Sequence, residues 1–390
     1  MQAERCDVVV VGLGAMGAAT LFQLAKAGVK AVGIDRFAPP HDQGSSHGDT
    51  RITRLAVGEG AAYVPLVHRS HQIWRELEAH SDEALFEQCG VLVMSSTTTA
   101  ASHHGAEDFV AQTIELARTY GIAHEILTSS QIHARFPQFG PIRDGAIGYF
   151  EPEGGFVRPE RCIATQLAAA QALGATLITG TTVSALESED GVVRIKAGER
   201  TLVADKVIVC AGMWSASLLG EPFSSLLKVC RQKLFWFKLA DPVIFPEVSP
   251  SFILVHGPRE TDSCYGFPPI PGEGSMKIAT EHYLPLQSVD ALDRTVSAAE
   301  VDEMYRTQVA GNIAGVTPEL VKARVCTYTV TPDHGFIIDD HPTLDNVTVI
   351  SACSGHGFKH SAAIGEAVAQ RCLSGASQID LSAFSLSRFA

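Results

Sequence analysis

The feature that most constrains this chain is a strand, glycine turn, helix and second strand near its start. Residues 6–12 are a short β-branched run, which is typical of a strand buried on both faces. Residues 15–27 have the pattern of a helix, and Gly28 follows where a left-handed cap is expected. Residues 31–35 read as the next strand. Such a unit requires parallel pairing and a right-handed crossover, so the sequence predicts an α/β fold.

The turn between the first strand and the helix has the spacing G-x-G-x-x-G, with Gly12, Gly14 and Gly17. The first glycine allows a tight turn, the second lets a pyrophosphate approach the backbone, and the third permits close helix–strand packing. The N–H groups at the helix start would then face the phosphates. Asp35, at the end of the second strand, is placed to accept hydrogen bonds from a ribose diol. These residues predict a dinucleotide site.

This motif alone does not distinguish NAD from FAD. A second glycine loop at residues 354–359 lies between a buried strand at 347–351 and a last helix at 360–373. A dinucleotide pocket built from both ends of a chain is typical of flavoproteins, so FAD is favoured.

The remainder of the chain mixes helix and strand patterns, and 390 residues suit two interlocked domains. Apolar periodicity predicts further helices at residues 64–80, 159–173 and 298–313. Strand patterns occur at residues 176–186, 192–196, 201–203 and 206–212, and a β-rich region covers 231–282.

Composition and charge exclude several classes of protein. With 46% hydrophobic and 19% charged residues, the chain has ample material for a core and is not a disordered protein. Its net charge of −13 and lack of a basic run argue against nucleic acid as a partner. Residues 8–25 form an uncharged run of 18, which is long enough to suggest a membrane segment. However, Glu4, Arg5 and Asp7 precede it, and its glycines have the spacing of a nucleotide loop in a soluble protein. No membrane partner is therefore expected.

The cysteines do not indicate a disulfide framework. There are nine, an odd number, with scattered spacing and without a C-x-x-C pair. This argues against disulfides and against a zinc site, so no metal is expected. It suits a reducing compartment, and a cytoplasmic location is predicted.

Five motifs carry a resemblance to a known family. They are residues 12–17 (Gly-Leu-Gly-Ala-Met-Gly), 48–54 (Gly-Asp-Thr-Arg-Ile-Thr-Arg), 265–268 (Tyr-Gly-Phe-Pro), 326–328 (Cys-Thr-Tyr) and 355–359 (Gly-His-Gly-Phe-Lys). In this order, and along essentially the whole chain, they resemble the monomeric sarcosine oxidase and N-methyltryptophan oxidase family of D-amino-acid-oxidase type flavoproteins.

The resemblance implies a fold and a domain division. We expect an α/β, Rossmann-like FAD-binding domain made of residues 1–87, 148–225 and 320–390. A β-rich, α+β substrate domain would be inserted as residues 88–147 and 226–319. The family also implies a monomer, although the sequence itself leaves the oligomeric state open.

The resemblance further implies how FAD is held. In the family a cysteine forms a thioether to the 8α position of the flavin, and the matching residue is Cys326. Arg324 is near enough in sequence to help stabilise the thiolate nucleophile, while the ordinary alternative is a buried structural cysteine. The other expected FAD contacts are Gly12, Gly14, Met16, Gly17, Asp35, Arg36, Ser45, His47, Arg51, Val183, Gly355, Gly357, Phe358 and Lys359.

Two cations match the family's grip on the substrate carboxylate. Arg54 would offer a planar fork and Lys359 a point charge, unless Arg54 only forms a surface ion pair. Arg51 and His47 match positions close to the flavin ring, where positive charge would stabilise the reduced cofactor.

Lys277 matches the lysine that activates oxygen, because a cation there stabilises developing superoxide. Tyr265 matches a tyrosine that lines the substrate cavity. The ordinary alternatives are a solvated strand lysine and a core aromatic residue. The sequence departs from the family four positions after Lys277, where a histidine is replaced by Glu281, with His282 next. Residues 255–263 also match poorly, which weakens an assignment to sarcosine itself.

The predicted activity is FAD-dependent oxidation of a secondary amine, with N-methyl amino acids favoured. The imine product would hydrolyse to an amino acid and formaldehyde, and O₂ would become hydrogen peroxide. The partners are then a small amine and O₂. Alternative substrates are cyclic imino acids, such as pipecolate or proline, and glycated amino acids. A flavin dehydrogenase with another electron acceptor and a non-catalytic nucleotide-binding subunit are further alternatives.

Overall fold

The computed structural model describes residues 4–95, 108–140, 142–240, 244–246, 248–259 and 261–390. Within these ranges the helices are α1 (Ala15–Lys26), α2 (Val64–Glu78), α3 (Phe109–Thr119), α4 (Ser129–Arg135), α5 (Pro159–Ala172), α6 (Ser215–Leu219), α7 (Phe223–Leu226), α8 (Ala298–Met304) and α9 (Ser361–Ser374). The strands are β1 (Glu4–Val11), β2 (Ala31–Ile34), β3 (Arg51–Thr53), β4 (Phe86–Glu87), β5 (Val91–Ser95), β6 (Glu125–Thr128), β7 (Ile147–Glu151), β8 (Gly155–Val157), β9 (Thr176–Ile178), β10 (Val183–Glu189), β11 (Val192–Ala197), β12 (Arg200–Val209), β13 (Lys228–Leu239), β14 (Ser251–Val255), β15 (Ser263–Gly266), β16 (Ser275–Ala279), β17 (Val316–Val330), β18 (Ile337–Asp340) and β19 (Val347–Ser351).

The first sheet is built around β1. Its strand order is β10-β11-β12-β1-β2-β9, with β19 pairing the end of β12 and β18 pairing β19. β1 runs parallel to both β12 and β2, as the glycine-linked crossover requires. Helix α1 is buried along nearly its whole length. It packs closely on α9. The contact leaves no room for a side chain at Gly365, since a Cβ added there would lie 2.5 Å from the backbone of Ala19. The predicted α/β fold is confirmed.

The second sheet supplies the opposite wall of the molecule. Its order is β17-β13-β16-β15-β14-β5-β7-β6, and its pairs are antiparallel except for β14 with β5. The long strands β13 and β17 pair along most of their length. A cluster of buried phenylalanines, including Phe235, Phe237 and Phe252, covers one side of this sheet. The opposite side of β15, β16 and β17 carries residues that matter for the site below.

A third, three-stranded sheet has the order β3-β8-β4. It begins with Arg51, which pairs with Val157 of β8. The chain that leaves β3 continues directly into Arg54. This small sheet therefore fixes the segment that carries both arginines.

The structure differs from the sequence patterns in four places. The expected strand at 176–186 is two strands, because Gly180 turns the chain with a φ of 66°. The two expected strands at 201–203 and 206–212 are one strand, β12, since polar Asp205 stays in register by pairing with Arg5 at 3.1 Å. The helix expected at 298–313 ends at Met304 and continues as a π-helical turn, Tyr305–Val309. Strand β17 was not predicted, because Pro318 and alternating charges obscure its pattern.

Two further features bear on the expectations from composition. No disulfide bond joins any of the nine cysteines, all of which lie in described segments. Within the part of the chain that the structure describes, no helix has both the length and the apolar character needed to cross a membrane.

Candidate functional site

A deep cavity of about 410 Å³ lies between the two large sheets. Both glycine loops line it, together with residues that follow β2 and β12 and the ends of β14 to β17. Fourteen predicted site residues form its wall: Gly12, Gly14, Met16, Asp35, Arg36, Ser45, Arg51, Arg54, Val183, Tyr265, Gly355, Gly357, Phe358 and Lys359. Among the described residues, the predicted ones that do not line it are Gly17, His47, Lys277 and Cys326.

The first glycine loop is a cradle that side chains would fill. Gly12 has a φ of 87°, and a Cβ there would lie 2.5 Å from the carbonyl oxygen of Cys210. A Cβ on Gly17 would lie 1.7 Å from the oxygen of Gly12, so Gly17 keeps α1 close to the turn although it does not face the cavity. The N-cap residue of helix α1 is Gly14, which offers no side chain, and the first turn has no acidic residue, while Ser46 Oγ accepts from the N–H of Ala15 at 3.3 Å. Such a helix start attracts phosphate.

Asp35 holds the shape of this loop. One carboxylate oxygen accepts a hydrogen bond from the N–H of Leu13 at 2.7 Å, and the other accepts one from the N–H of Phe37 at 2.7 Å. The side chain also lines the cavity. Next to it, the guanidinium of Arg36 lies 5.7 Å from the ring centre of Trp214, which forms another part of the wall. This end of the cavity fits an adenosine diphosphate moiety.

The second glycine loop closes the cavity from the other end of the chain. Gly355 has a φ of 85°. A Cβ on Gly357 would lie 1.8 Å from the oxygen of Ala352, so the loop can turn from β19 into α9 only with glycine there. The two cradles and the start of α1, which has no acidic residue in its first turn, fit a dinucleotide such as FAD.

The expected carboxylate-binding cations, Arg54 and Lys359, lie together and share one internal partner. Glu59 accepts from Arg54 Nη2 at 3.2 Å and from Lys359 Nζ at 2.9 Å. All three side chains are buried, with at most 7% of the side chain exposed. Burial lowers the pKa of Lys359, and the charge of Arg54 adds to this, while Glu59 opposes it. Two cations and one carboxylate leave this cluster with one positive charge in excess.

A second buried carboxylate positions Arg54. Glu151, at the end of β7, accepts hydrogen bonds from the N–H groups of Leu55 at 2.5 Å and Ala56 at 3.1 Å. The hydroxyl of Tyr149 donates to the same side chain at 2.7 Å. Burial raises the pKa of Glu151. Since the guanidinium of Arg54 donates to the carbonyl of Ala56, Glu151 fixes the turn on which Arg54 depends.

Glu281 and two tyrosines line the cavity beside this cluster. The carboxyl group of Glu281 accepts from Tyr283 Oη at 2.7 Å and from Tyr328 Oη at 3.4 Å. Burial raises the pKa of Glu281 to about 8, and the nearby Glu59 carboxylate adds to the shift. Tyr265 lies on the same wall. The sequence left Glu281 and His282 as alternatives at this position, and Glu281 is the one that faces the cavity.

His282 lies outside the cavity wall. Its backbone N–H donates to the side-chain oxygen of Gln232 at 3.0 Å, and its carbonyl accepts from the same side chain. Burial, with the charge of Lys233, lowers the pKa of its imidazole. His282 is therefore held by strand β13 and not by the cavity.

Lys277, on β16, is buried against the loop that precedes β3. Its Nζ donates to the carbonyl of Gly48 at 2.6 Å and to Thr50, at 2.7 Å for the carbonyl and 3.2 Å for the hydroxyl. Burial and the charge of Arg51 lower the pKa of Lys277 well below its ordinary value of 10.5. Nζ therefore holds its proton less tightly than an ordinary lysine does, and the side chain lies behind the cavity wall. The role expected of Lys277 beside the flavin stays a prediction.

Of the two residues expected near the flavin ring, Arg51 is charged and His47 is neutral. Arg51 lines the cavity and donates to the carbonyls of Thr50 at 2.8 Å and Ser45 at 2.9 Å. An arginine keeps its charge inside proteins. Burial and the charge of Arg51 lower the pKa of His47 to about 3, so its imidazole is neutral. The positive charge at this wall is therefore that of Arg51, and a role for His47 at the flavin ring stays a prediction.

Cys326 lies on β17, opposite Gln232 of β13, and is buried. Burial raises the pKa of its thiol, against the opposing charges of Arg51 and Lys277. Arg324, expected to help the thiolate, is exposed and donates to the carbonyl of its neighbour Ala323. The cations that act on Cys326 are Arg51, Lys277 and Arg294, and Arg324 is not among them.

Comparison with known proteins agrees with this geometry. The family model described as "FAD dependent oxidoreductase" matches residues 7–371. The chain belongs to this family. Monomeric sarcosine oxidase from Bacillus sp. (strain NS-129) is 37% identical over 98% of this chain and 97% of its own. N-methyl-L-tryptophan oxidase from Salmonella dublin is 33% identical over 99% of this chain and 100% of its own.

A solved structure shows the same fold. NikD, described as an unusual amino acid oxidase essential for nikkomycin biosynthesis, has a TM-score of 0.85 and covers 98% of each chain at 24% identity. The protein is thus an FAD-dependent oxidoreductase of the sarcosine oxidase and N-methyltryptophan oxidase group.

Sequence reasoning did not identify several residues of this site, three on the cavity wall and one, Glu151, behind it. Glu59 stands between two glycines in a loop, where nothing distinguishes it from a surface acid. Glu151 follows an apolar strand and has no motif. Tyr328 was quoted only as part of the Cys-Thr-Tyr motif, although that match was a usable signal. Cys353, on the wall of the second glycine loop, has a sequence environment no different from that of a structural cysteine.

Proposed function

We propose that this oxidoreductase oxidises secondary amines that carry a carboxylate, with N-methyl amino acids as the first class of substrate and O₂ as the electron acceptor. The observation that carries the proposal is the buried cluster of Arg54, Glu59 and Lys359 on the wall of the dinucleotide cavity. The names of the relatives, sarcosine oxidase and N-methyl-L-tryptophan oxidase, support the same class.

The charge of the cluster explains why a carboxylate would bind. Arg54 and Lys359 both form their ion pairs with the carboxylate of Glu59, so a substrate carboxylate would bring this cluster to two cations and two anions. In a buried site these attractions are far less screened than in water. Arg54 can present two N–H groups to a carboxylate, and Lys359 contributes a point charge. The substrate is thereby held at one end and its amine is placed in the cavity.

The remaining residues position the cofactor and the substrate. Gly12, Gly14, Asp35, Gly355 and Gly357 would hold FAD. When bound, FAD supplies the two-electron acceptor for the C–H bond beside nitrogen and passes the electrons to O₂, which yields hydrogen peroxide. Holding the substrate at its carboxylate fixes the distance and angle of that C–H bond, which is worth several kcal/mol of the barrier.

Hydrolysis by water follows the oxidation step and completes the reaction. The imine that leaves the cavity hydrolyses, so an N-methyl amino acid would give formaldehyde and the free amino acid. Tyr265 and Tyr328 bring aromatic surface to the wall near the amine and reduce its contact with water. We propose Lys277 and Arg51 as the cations that assist electron transfer to O₂, with Lys277 acting from behind the wall.

We also propose that Cys326 attaches FAD covalently. Burial raises the pKa of its thiol, and the charges of Arg51 and Lys277 reduce that rise, so these two cations are the groups that would assist the nucleophilic thiolate. Acid precipitation of the purified protein tests this. Yellow colour should stay in the pellet of the wild type and pass to the supernatant with Cys326→Ala. Colour in the wild-type supernatant would contradict covalent attachment.

The division of the chain stays a proposal as well. Residues 1–87, 148–225 and 320–390 would form the FAD-binding domain, and residues 88–147 and 226–319 the substrate domain. We propose a monomer, in line with the names of the relatives. The lack of disulfides between the nine cysteines supports a cytoplasmic location.

One alternative function has a specific observation behind it. The lowered pKa of Lys277 and its place behind the wall favour a dehydrogenase that passes electrons to another acceptor. Assays of formaldehyde and hydrogen peroxide with sarcosine and larger N-methyl amino acids separate the two. Equal amounts of both products support the oxidase. Formaldehyde without peroxide, and only with an added dye, would establish the dehydrogenase.

A further inference from the structure

The proposed function assigns no role to the carboxyl group of Glu281 on the cavity wall. Glu281 follows strand β16 and is only 9% exposed, yet it lines the cavity that Arg54 and Lys359 also line. Its carboxyl group meets the hydroxyls of Tyr283 at 2.7 Å and Tyr328 at 3.4 Å. A third tyrosine, Tyr265, lines the same wall. The wall beside the carboxylate cluster is therefore polar.

A carboxyl group is an unusual choice at this place. The substrate carboxylate would enter a site that already contains Glu59, and the charges of Glu59 and Lys359 both reach Glu281. An ionised Glu281 would repel the incoming carboxylate, which a histidine at this position would not do. The raised pKa removes that repulsion near neutral pH, because the side chain is then mostly protonated.

A neutral carboxyl group both donates and accepts hydrogen bonds, as a hydroxyl group does. If the cavity received only an N-methyl group and a methylene carbon, this polar wall would be shut off from water and would gain no hydrogen bond from the substrate beyond those it makes within the protein. Such a loss costs binding free energy. A substrate with a hydroxyl group in reach of Glu281 would replace the lost contact with water by a hydrogen bond to the substrate.

Resting on the proposed function, we infer that Glu281 is a specificity-determining residue that binds a hydroxyl group of the substrate. The substrate class is then secondary amino acids that carry a hydroxyl group in addition to the amine and the carboxylate. The hydroxyl is carried either by the nitrogen substituent or by the amino acid side chain, and Glu281 accepts or donates the hydrogen bond to it.

Matched pairs of substrates test this inference on the holoenzyme at pH 7. N-(2-hydroxyethyl)glycine and N-propylglycine differ only by hydroxyl against methyl on the nitrogen substituent. N-methyl-L-serine and N-methyl-L-2-aminobutyrate differ in the same way on the side chain. We expect kcat/KM to favour the hydroxyl member of one pair by about tenfold or more, since a site built for a hydroxyl rejects the analogue without it. The favoured pair shows where the hydroxyl is carried.

Variants assign the preference to Glu281. In Glu281→Met, which keeps an unbranched side chain of similar length, the hydroxyl-to-methyl ratio of kcat/KM should fall to about 1. Glu281→Gln, which still donates and accepts, should keep most of the ratio. The neighbouring His282→Gln, outside the cavity wall, is the matched control and should leave the ratio as in the wild type. A thermal unfolding curve for each variant shows that it is folded.

A binding measurement gives a readout besides turnover. (2-Hydroxyethylthio)acetate and (propylthio)acetate have sulfur in place of the amine and cannot form an imine. Isothermal titration calorimetry should show about tenfold tighter binding of the hydroxyl compound to the wild type, and equal binding to Glu281→Met. The same preference in the variant as in the wild type would overturn the role of Glu281.

The two proposals fail in different ways. If the methyl members are oxidised as well as the hydroxyl members, the inference is wrong and the amine oxidase activity stands. If N-(2-aminoethyl)glycine is preferred to the hydroxyl compound, Glu281 binds a cation and the inference is also wrong. If no secondary amino acid is oxidised and the thioether acids do not bind, the proposed function itself fails.

Discussion

Glu59 determines the charge balance of the cavity, because both Arg54 and Lys359 form ion pairs with its carboxylate. A buried charge that loses its partner is strongly destabilising. The same carboxylate also competes with the substrate for both cations. Stability of the free enzyme and affinity for a carboxylate therefore oppose each other at this one residue.

Replacing Glu59 separates these two effects. We expect Glu59→Gln to unfold at a lower temperature than the wild type, since two buried cations lose their counter-ion, at a cost of about 3–5 kcal/mol. A carboxylate ligand such as (methylthio)acetate should raise the unfolding temperature of the variant more than that of the wild type. Differential scanning fluorimetry with and without this ligand measures both. The control is Glu76→Gln, at a surface ion pair with Arg69, and an equal ligand effect in Glu59→Gln would refute the competition.

Removing one cation should weaken binding of the substrate carboxylate. For Arg54→Gln and Lys359→Met we expect KM to rise by at least about 30-fold, which corresponds to about 2 kcal/mol for one partner of a buried charge pair. Steady-state kinetics with an N-methyl amino acid give the value. Arg69→Gln, on the surface of α2, is the matched control. A rise of less than threefold in both cavity variants would mean that the carboxylate binds elsewhere.

Glu281 makes stability depend on pH in a defined direction. Its pKa is about 8 in the folded protein against an ordinary 4.5, so the folded state holds the proton more tightly. This stabilisation is complete below pH 4.5 and is lost as the pH rises to about 8. The free energy of unfolding of the wild type, relative to Glu281→Gln, should fall by about 1.4 kcal/mol per pH unit in that window. Urea unfolding at pH 5, 6, 7 and 8 measures it, and parallel curves would contradict the burial of this carboxyl.

At the scale of elements, the two glycine loops place both ends of the chain against one cavity. Each loop follows a parallel strand of the first sheet and leads into a helix, α1 or α9. The helices pack on each other at Ala19 and Gly365. A change in one loop is therefore expected to alter cofactor binding and not only local stability.

Two glycine variants distinguish close packing from backbone conformation. In Gly17→Ala the new Cβ would lie 1.7 Å from the oxygen of Gly12, so α1 must move away from the phosphate cradle. We expect this variant to contain little or no FAD. In Gly28→Ala the Cβ has open space and only the positive φ of 80° is unfavourable, at a cost of about 1–2 kcal/mol. The ratio of flavin to protein absorbance compares them, and full FAD occupancy in Gly17→Ala would contradict the cradle.

Considered as a whole, the molecule has the fold that the sequence predicted, and fourteen of the eighteen predicted site residues lie on the cavity wall. β1, α1 and β2 follow from a buried apolar run, a glycine spacing and a helix cap, all of which are local. The motifs around Arg54 and Lys359 placed these residues in one site, although more than 300 positions separate them in the sequence. Their positions in the sequence do not indicate that the two side chains lie close together, so only the resemblance to a family placed them in one site.

What the sequence could not provide depends on contacts between distant segments. Glu59 and Glu151 are ordinary acids in the sequence, and only the folded chain shows that they hold cations and backbone N–H groups. The neutral state of His47 and the lowered pKa of Lys277 follow from burial beside Arg51. These properties are set by three-dimensional packing, which local patterns do not encode.

In the proposed reaction a buried pair of cations, Arg54 and Lys359, holds the carboxylate of an amine while FAD oxidises it. Anaerobic mixing of the holoenzyme with sarcosine, N-methyl-L-serine and N-methylethylamine, followed at the flavin absorbance band, tests it most directly. We predict that at least one of the two amino acids bleaches the band, that N-methylethylamine, which lacks a carboxylate, leaves it unchanged, and that Arg54→Gln slows the bleaching at low substrate concentration. Bleaching by N-methylethylamine as fast as by the amino acids, or by none of the three, would contradict the claim.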